Sequence, residues 1–155
     1  MTTIYLPVEI LSRELMARAF LATRLAKDGH KIYIFEHTLF DRTRWIKNGI
    51  YIGKNCFRTE IPYDKKYYKK MKKSGVDVWF LDEEGGIYPG DDKKQKEILE
   101  CRIDPNDLDE NDKLLTWGKW QKKVFLATKP SSSIEISGNP GFDIIQPKYH
   151  EAFQE

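Results

Sequence analysis

"VDVWFL", residues Val76 to Leu81, is the stretch on which the fold turns. Val76, Val78, Trp79, Phe80 and Leu81 are apolar, broken only by Asp77, in a run too short for a helix and rich in β-branched and aromatic side chains. Such a run is a strand buried on both sides, and that burial belongs to the middle of a parallel sheet, where helices cover both faces. Its flanks agree. "DKKYYKKMKKSG" (64–75) ahead of it has helical spacing and closes on Gly75. The polar segment 88–111 behind it contains the turn Pro89-Gly90-Asp91-Asp92 and, in "KKQKEILECRI" (93–103), a short helix.

Further out, the same alternation repeats. "TIYLPV" (3–8) is a strand, followed by a helix that Ser12 can cap and that carries Leu15, Met16, Ala19, Phe20, Ala22 and Ala26 at helical intervals up to Gly29. "KIYIFEH" (31–37) is a second strand, "LFDRTRWIKNG" (39–49) a helix closed by Gly49, and "IYIGKN" (50–55) a third strand. After the central strand come a strand in "DKLLTWG" (112–118), a helix in "KWQKKVFLATK" (119–129) and a last short strand in "IEISG" (134–138). Strands alternating with helices need crossover connections, so the expected class is α/β: a Rossmann-like, doubly wound, mostly parallel sheet with helices on both faces.

Composition narrows the setting. Lys and Arg number 26 against 24 Asp and Glu, a net charge of +2 that offers no argument for a nucleic-acid partner. The two cysteines, Cys56 and Cys101, fit no metal spacing and suit a reducing cytosol. The amino terminus does not read as a signal peptide, and no segment approaches the ~20 apolar residues of a membrane span. A cytoplasmic protein is expected, or one peripheral on the inner face of the membrane.

In open α/β sheets the ligand crevice lies at the carboxyl ends of the strands. "LDEEGG" (81–86) follows the central strand there, Glu9 follows the first and His37 the second. The first turn lacks a Gly-x-Gly-x-x-Gly fingerprint, so a dinucleotide laid over it is not expected; nor is there a phosphate-binding lysine loop, a serine elbow or zinc spacing. Asp82 and Glu84 point one way and Glu83 the other. With Glu9 they could hold magnesium, or form a solvated acidic turn. Gly85 and Gly86 keep the space beside Glu84 open, and its acidic neighbours would raise its pKa, as suits a general base or nucleophile. Arg13 could grip a phosphate or a sugar-acid carboxylate, or pair with a surface acid, while Glu14 suits the helix dipole. His37 and Thr38 could bond sugar hydroxyls, with capping the alternative for Thr38. Trp120, at the corner formed with Trp117, Gly118 and Gln121, is expected in the core rather than against a sugar. The lysines at 65, 66, 69, 70, 72 and 73 form either a solvated helix face or one attracted weakly to anionic lipid.

Four segments in order, "EILSREL", "LDEEGGIY", "DKLLTWGKWQ" and "ISGNPGFDII", resemble the surface carbohydrate (polysaccharide) biosynthesis proteins of bacteria, which look like GT-B glycosyltransferases. The last of them is similar to the Gly-x-Pro-Arg-x-Asp element of glycerophosphotransferases that build teichoic acids. Gly138, Asn139, Pro140 and Asp143 match it, whereas Gly141 stands where the family has arginine, which removes a phosphate or structural contact. The resemblance implies an acceptor-side amino-terminal domain over 1–145 and, over 146–155, a lead-in to a missing donor-binding domain. It implies transfer of a sugar from a nucleotide-activated donor to a glycan or lipid-linked glycan acceptor, with Glu84 as the catalytic carboxylate and Glu83 second. Kdo transferases of capsule assembly carry a comparable acid directly before glycine. Glu9, Arg13, Asp82, Gly85, Gly86, His37 and Asn139 would line the substrate site. No metal and no cofactor are expected; the nucleotide sugar is a co-substrate bound by the missing half, and the chain alone would be inactive. Two other classes stay open: a carboxylate–magnesium phosphotransfer domain, and a non-catalytic subunit that completes a second chain carrying the donor site.

Overall fold

Six strands form one sheet in which every pairing is parallel: β1 (Thr3–Val8), β2 (Lys31–Glu36), β3 (Gly49–Gly53), β4 (Val76–Leu81), β5 (Lys113–Thr116) and β6 (Ile134–Ile136), in the order β2-β1-β3-β4-β5-β6. The computed structural model describes residues 1–37, 39, 45–54, 62–81, 88–102, 108–128 and 133–149, excepting the side chains of 62–65, 102 and 128. Among the described residues five helices accompany the sheet: α1 (Leu11–Lys27), α2 (Pro62–Lys73), α3 (Asp92–Arg102), α4 (Lys119–Thr128) and the short α5 (Pro140–Asp143). This is a Rossmann-like α/β fold, and β4 is an interior strand, as its two-sided apolar run requires.

Alternation along the strands sorts the core into two layers. Tyr5, Tyr51, Val78, Phe80, Leu114 and Ile134 point to the side covered by α2, α3 and α4. Ile4, Leu6, Ile52 and Leu81 point to the other side, against Leu21, Ala22 and Leu25 of α1. The chain passes from β1 through α1 to β2 on one flank, then returns across β1 to β3 on the other. The strand order therefore reverses between β1 and β3, the position where sheets of this kind open a crevice at their carboxyl edge.

Two local expectations give way. The helix expected over 39–49 is not formed at Trp45–Asn48, and Gly49, expected to close it, is the first residue of β3. Trp45 instead lies 5.0 Å from the Tyr33 ring and Ile46 is buried in the core, so those apolar residues cover the sheet without helical backbone. Gly49 is needed for strand approach: a Cβ there would sit 2.4 Å from the Thr3 carbonyl oxygen. Ser12 does not cap α1. Ile10 occupies the cap position with no side-chain bond, and Ser12 lies inside the first turn. The short helix expected within 93–103 is present as α3.

At the amino-terminal edge, Asp112 fastens three elements together. It is fully buried, accepting from Tyr68 Oη at 2.5 Å, Lys72 Nζ at 2.8 Å and the Val78 amide at 2.7 Å. Buried carboxylates persist only when their oxygens are so satisfied, and this one ties α2 to the starts of β4 and β5.

Candidate functional site

The carboxyl edge beside the β1/β3 switch carries a compact ionic cluster. Glu9 directly follows β1, Lys54 directly follows β3, and Glu14 comes from the first turns of α1. Glu14 is 2% exposed and Lys54 3%. Lys54 Nζ lies 2.9 Å from Glu14 Oε1 and 2.7 Å from Glu9 Oε2; Arg13 Nη2 donates to Glu14 Oε1 at 2.8 Å, and the Glu9 amide donates to Glu14 Oε2 at 2.8 Å. Burial by itself would raise the Glu14 pKa, but the Glu9 amide, the Arg13 guanidinium and the Lys54 ammonium together outweigh it and lower the value to about 2. Glu14 is thus a fixed anion that sets two cations in place. Arg18, one turn further along α1, is also buried.

Against this cluster opens a cavity of about 180 Å³, lined by Arg13, Glu14 and Ala17 of α1, by Trp117 after β5, and by Asn139, Gly141 and Phe142. Trp117 and Phe142 meet edge to face, with ring centroids 5.1 Å apart and an interplanar angle of 85°. Phe142 is 56% exposed and Arg13 keeps 42% of its side chain exposed, so the mouth is open. The Asn139 Oδ1 caps α5 by accepting from the Gly141 amide at 2.7 Å, and its Nδ2 is the group that remains to donate to a ligand. The β6–α5 segment is held over the cavity because α5 packs on α1, and Tyr149 beyond it meets Phe20 at 4.8 Å.

The residues singled out in the sequence are distributed unevenly. Arg13 and Asn139 line the cavity, and Glu9 joins its ionic wall through Lys54. His37 follows the edge strand β2, lies edge-on to Tyr67 with centroids 6.0 Å apart, and is not among the residues lining the cavity. β4 ends at Leu81, while Asp82, Glu83, Glu84, Gly85 and Gly86 lie outside the described residues, as does Thr38. Trp120, expected in the core, is 37% exposed on α4; the tryptophan that reaches the cavity is its neighbour Trp117. Lys54 and Phe142 carried no sequence signal of their own. Glu14 carried only the helix-dipole one.

Compared with protein-family models, characterised proteins and solved structures, the chain has no match. Its chemistry is therefore read from the site. Among the described residues, Lys54 pairs with Glu9 and Glu14, and Arg13 pairs with Glu14. A wall of paired charges facing two aromatic rings suits a ligand bearing both hydroxyls and an apolar face. Among the described residues no group of three or more His, Cys, Asp or Glu is placed to hold a metal. No helix among them is long and apolar enough to cross a membrane.

Proposed function

We propose that this chain is the acceptor-side half of a GT-B-like glycosyltransferase of bacterial surface polysaccharide synthesis, with one sugar ring of the acceptor seated between α1 and α5. The cavity carries the reading. Trp117 and Phe142 offer an aromatic platform to the C–H face of a pyranose, while Arg13 and Asn139 donate to its hydroxyls. Size is compatible: a cavity of about 180 Å³ behind an open mouth has room for a single pyranose ring. Glu84, with Glu83 second, is the catalytic carboxylate in this proposal, and the donor is bound by a second domain or chain. The phosphotransfer alternative is weaker because Glu9, one of its three ligands, already has the Lys54 ammonium at 2.7 Å as its countercharge.

The test separates binding from chemistry. Capsule and lipopolysaccharide-core oligosaccharides are titrated against the chain and followed by saturation-transfer NMR. Trp117→Ala is expected to weaken binding about 10-fold, the worth of one aromatic contact. In transfer assays with the donor-binding half supplied, Glu84→Gln is expected to lower kcat at least ~100-fold with little change in acceptor KM. Unchanged glycan binding in Trp117→Ala removes the cavity from the reading, and unchanged turnover in Glu84→Gln removes the carboxylate.

A further inference from the structure

Helices α2, α3 and α4 share one face of the sheet, because Tyr67, Met71, Leu99, Val124 and Phe125 pack into the same cluster. Their outer surfaces therefore add. Along α2, Lys66, Lys69 and Lys73 are exposed while Tyr67 and Met71 turn to the sheet. Lys72 does not join them, since it is drawn to Asp112 at 2.8 Å. α4 reads KWQKKVFLAT, without an acid, and exposes Lys119 and Lys123. Between the two, α3 is nearer balance: Lys94 lies 3.5 Å from Glu97, and Lys96 lies 3.6 Å from Glu100. The sequence already gathers lysines on α2, and the fold adds those of α4 to the same side, although the net charge of the whole chain is only +2.

We propose that the α2–α4 face docks on the anionic surface of a lipid bilayer. The exposed cations of α2 and α4 are lysines, compact point charges suited to a diffuse layer of headgroup phosphates, where nucleic-acid readers favour the planar fork of arginine. They stand on two helices with α3 between them, spread over a surface about 20 Å wide at ordinary helix spacing, instead of lining a groove. Trp120, exposed beside Lys119 and Lys123, is the side chain type that settles at headgroup depth. α1 and the cavity lie on the opposite face and stay open to water when this one is docked. The inference does not depend on what the cavity binds.

Co-sedimentation with vesicles tests it. The chain is expected to bind mixed phosphatidylglycerol–phosphatidylcholine vesicles at low salt, to ignore phosphatidylcholine alone, and to be released near 1 M salt, where screening falls to about 3 Å. Each lysine at an anionic surface is worth about fivefold in partitioning. The triple variant Lys69→Gln, Lys73→Gln, Lys123→Gln should therefore bind on the order of 100-fold more weakly, with an unchanged melting temperature. Trp120→Ala should weaken binding without altering its salt dependence. Absence of binding to anionic vesicles at low salt overturns the proposal, and so does full binding by the triple variant. Tighter retention by a random-sequence DNA duplex at equal phosphate concentration also overturns it, in favour of nucleic acid.

Discussion

Glu14 shows how a single side chain can serve both stability and site geometry. Its carboxylate is buried, yet its pKa is held near 2 because three donors favour the charged form more than burial disfavours it. The folded-state value lies below the ordinary 4.5, so the stabilisation is fully present above pH 4.5 and is lost as pH falls through about 2. The difference corresponds to about 3 kcal/mol. Glu14→Gln should therefore cost about 3 kcal/mol at neutral pH, within the range for breaking a buried pair, and its urea-denaturation curve should converge on that of the native chain as pH is lowered from 4.5 towards 2. A gap that stays constant with pH would show that packing, and not charge, is responsible. Asp112 plays the equivalent part at the opposite edge. Burial works against the charge of Lys72, but Asp112 outweighs it and raises the Lys72 pKa; burial and Asp112 together raise that of Tyr68. Those groups keep their protons throughout the neutral range, and the hub is structural.

Among the elements, β3 is expected as a strand, but its first residue, Gly49, reads in the sequence as the end of a preceding helix. A glycine after a run of helix-compatible residues suggests a helix end, and Gly75 behaves that way, with φ +69° after α2. Gly49 has a different reason to be glycine. β1 and β3 approach so closely that a methyl group would meet the Thr3 carbonyl oxygen at 2.4 Å and the Tyr5 ring at 3.0 Å. Gly49→Ala should cost about 1–3 kcal/mol, the usual cost of overpacking, and lower Tm by several degrees. Gly118→Ala is the control: a Cβ there meets nothing within 4 Å, and its Tm should stay close to that of the native chain. Equal effects at the two positions would mean that the β1–β3 contact is not the constraint. α5 is too short to be stable alone; Asn139 capping, Pro140 in its first turn and packing on α1 hold it.

For the molecule as a whole, the order of strands matters more than any one of them. Placing β3 beside β1 sets Lys54 against Glu9 and Glu14, and carrying the chain from β6 back to α1 sets Phe142 and Asn139 against Arg13. The resulting cavity is about 180 Å³ in volume, and in the proposed reading it seats a ring of the acceptor while the donor is bound elsewhere. Calorimetric titration of the chain with cytidine, uridine and guanosine diphosphate sugars and with cytidine monophosphate sugars is expected to show no micromolar binding. A micromolar Kd for any of them would put the donor site on this domain and overturn the proposed division into acceptor and donor halves.

What the sequence determined by itself was the set of strands and most helices, because these follow from short-range patterns. β4 could be read residue for residue from its apolar run, and α2 and α4 from spacing and closing signals. It also pointed to Glu9, by reasoning on which loops end at a carboxyl edge, and to Arg13 on the helix that follows, whereas Asn139 came only from the family resemblance. The sequence could not show that Lys54, 40 residues from Glu14, would be buried against it, or that Trp117 rather than Trp120 would turn to the cavity. Nor could it show that lysines of α2 and α4 share a face. Those relations depend on strand order and on which side of the sheet each crossover takes. No local propensity encodes them; they arise only when one chain must bury both faces of a parallel sheet at once.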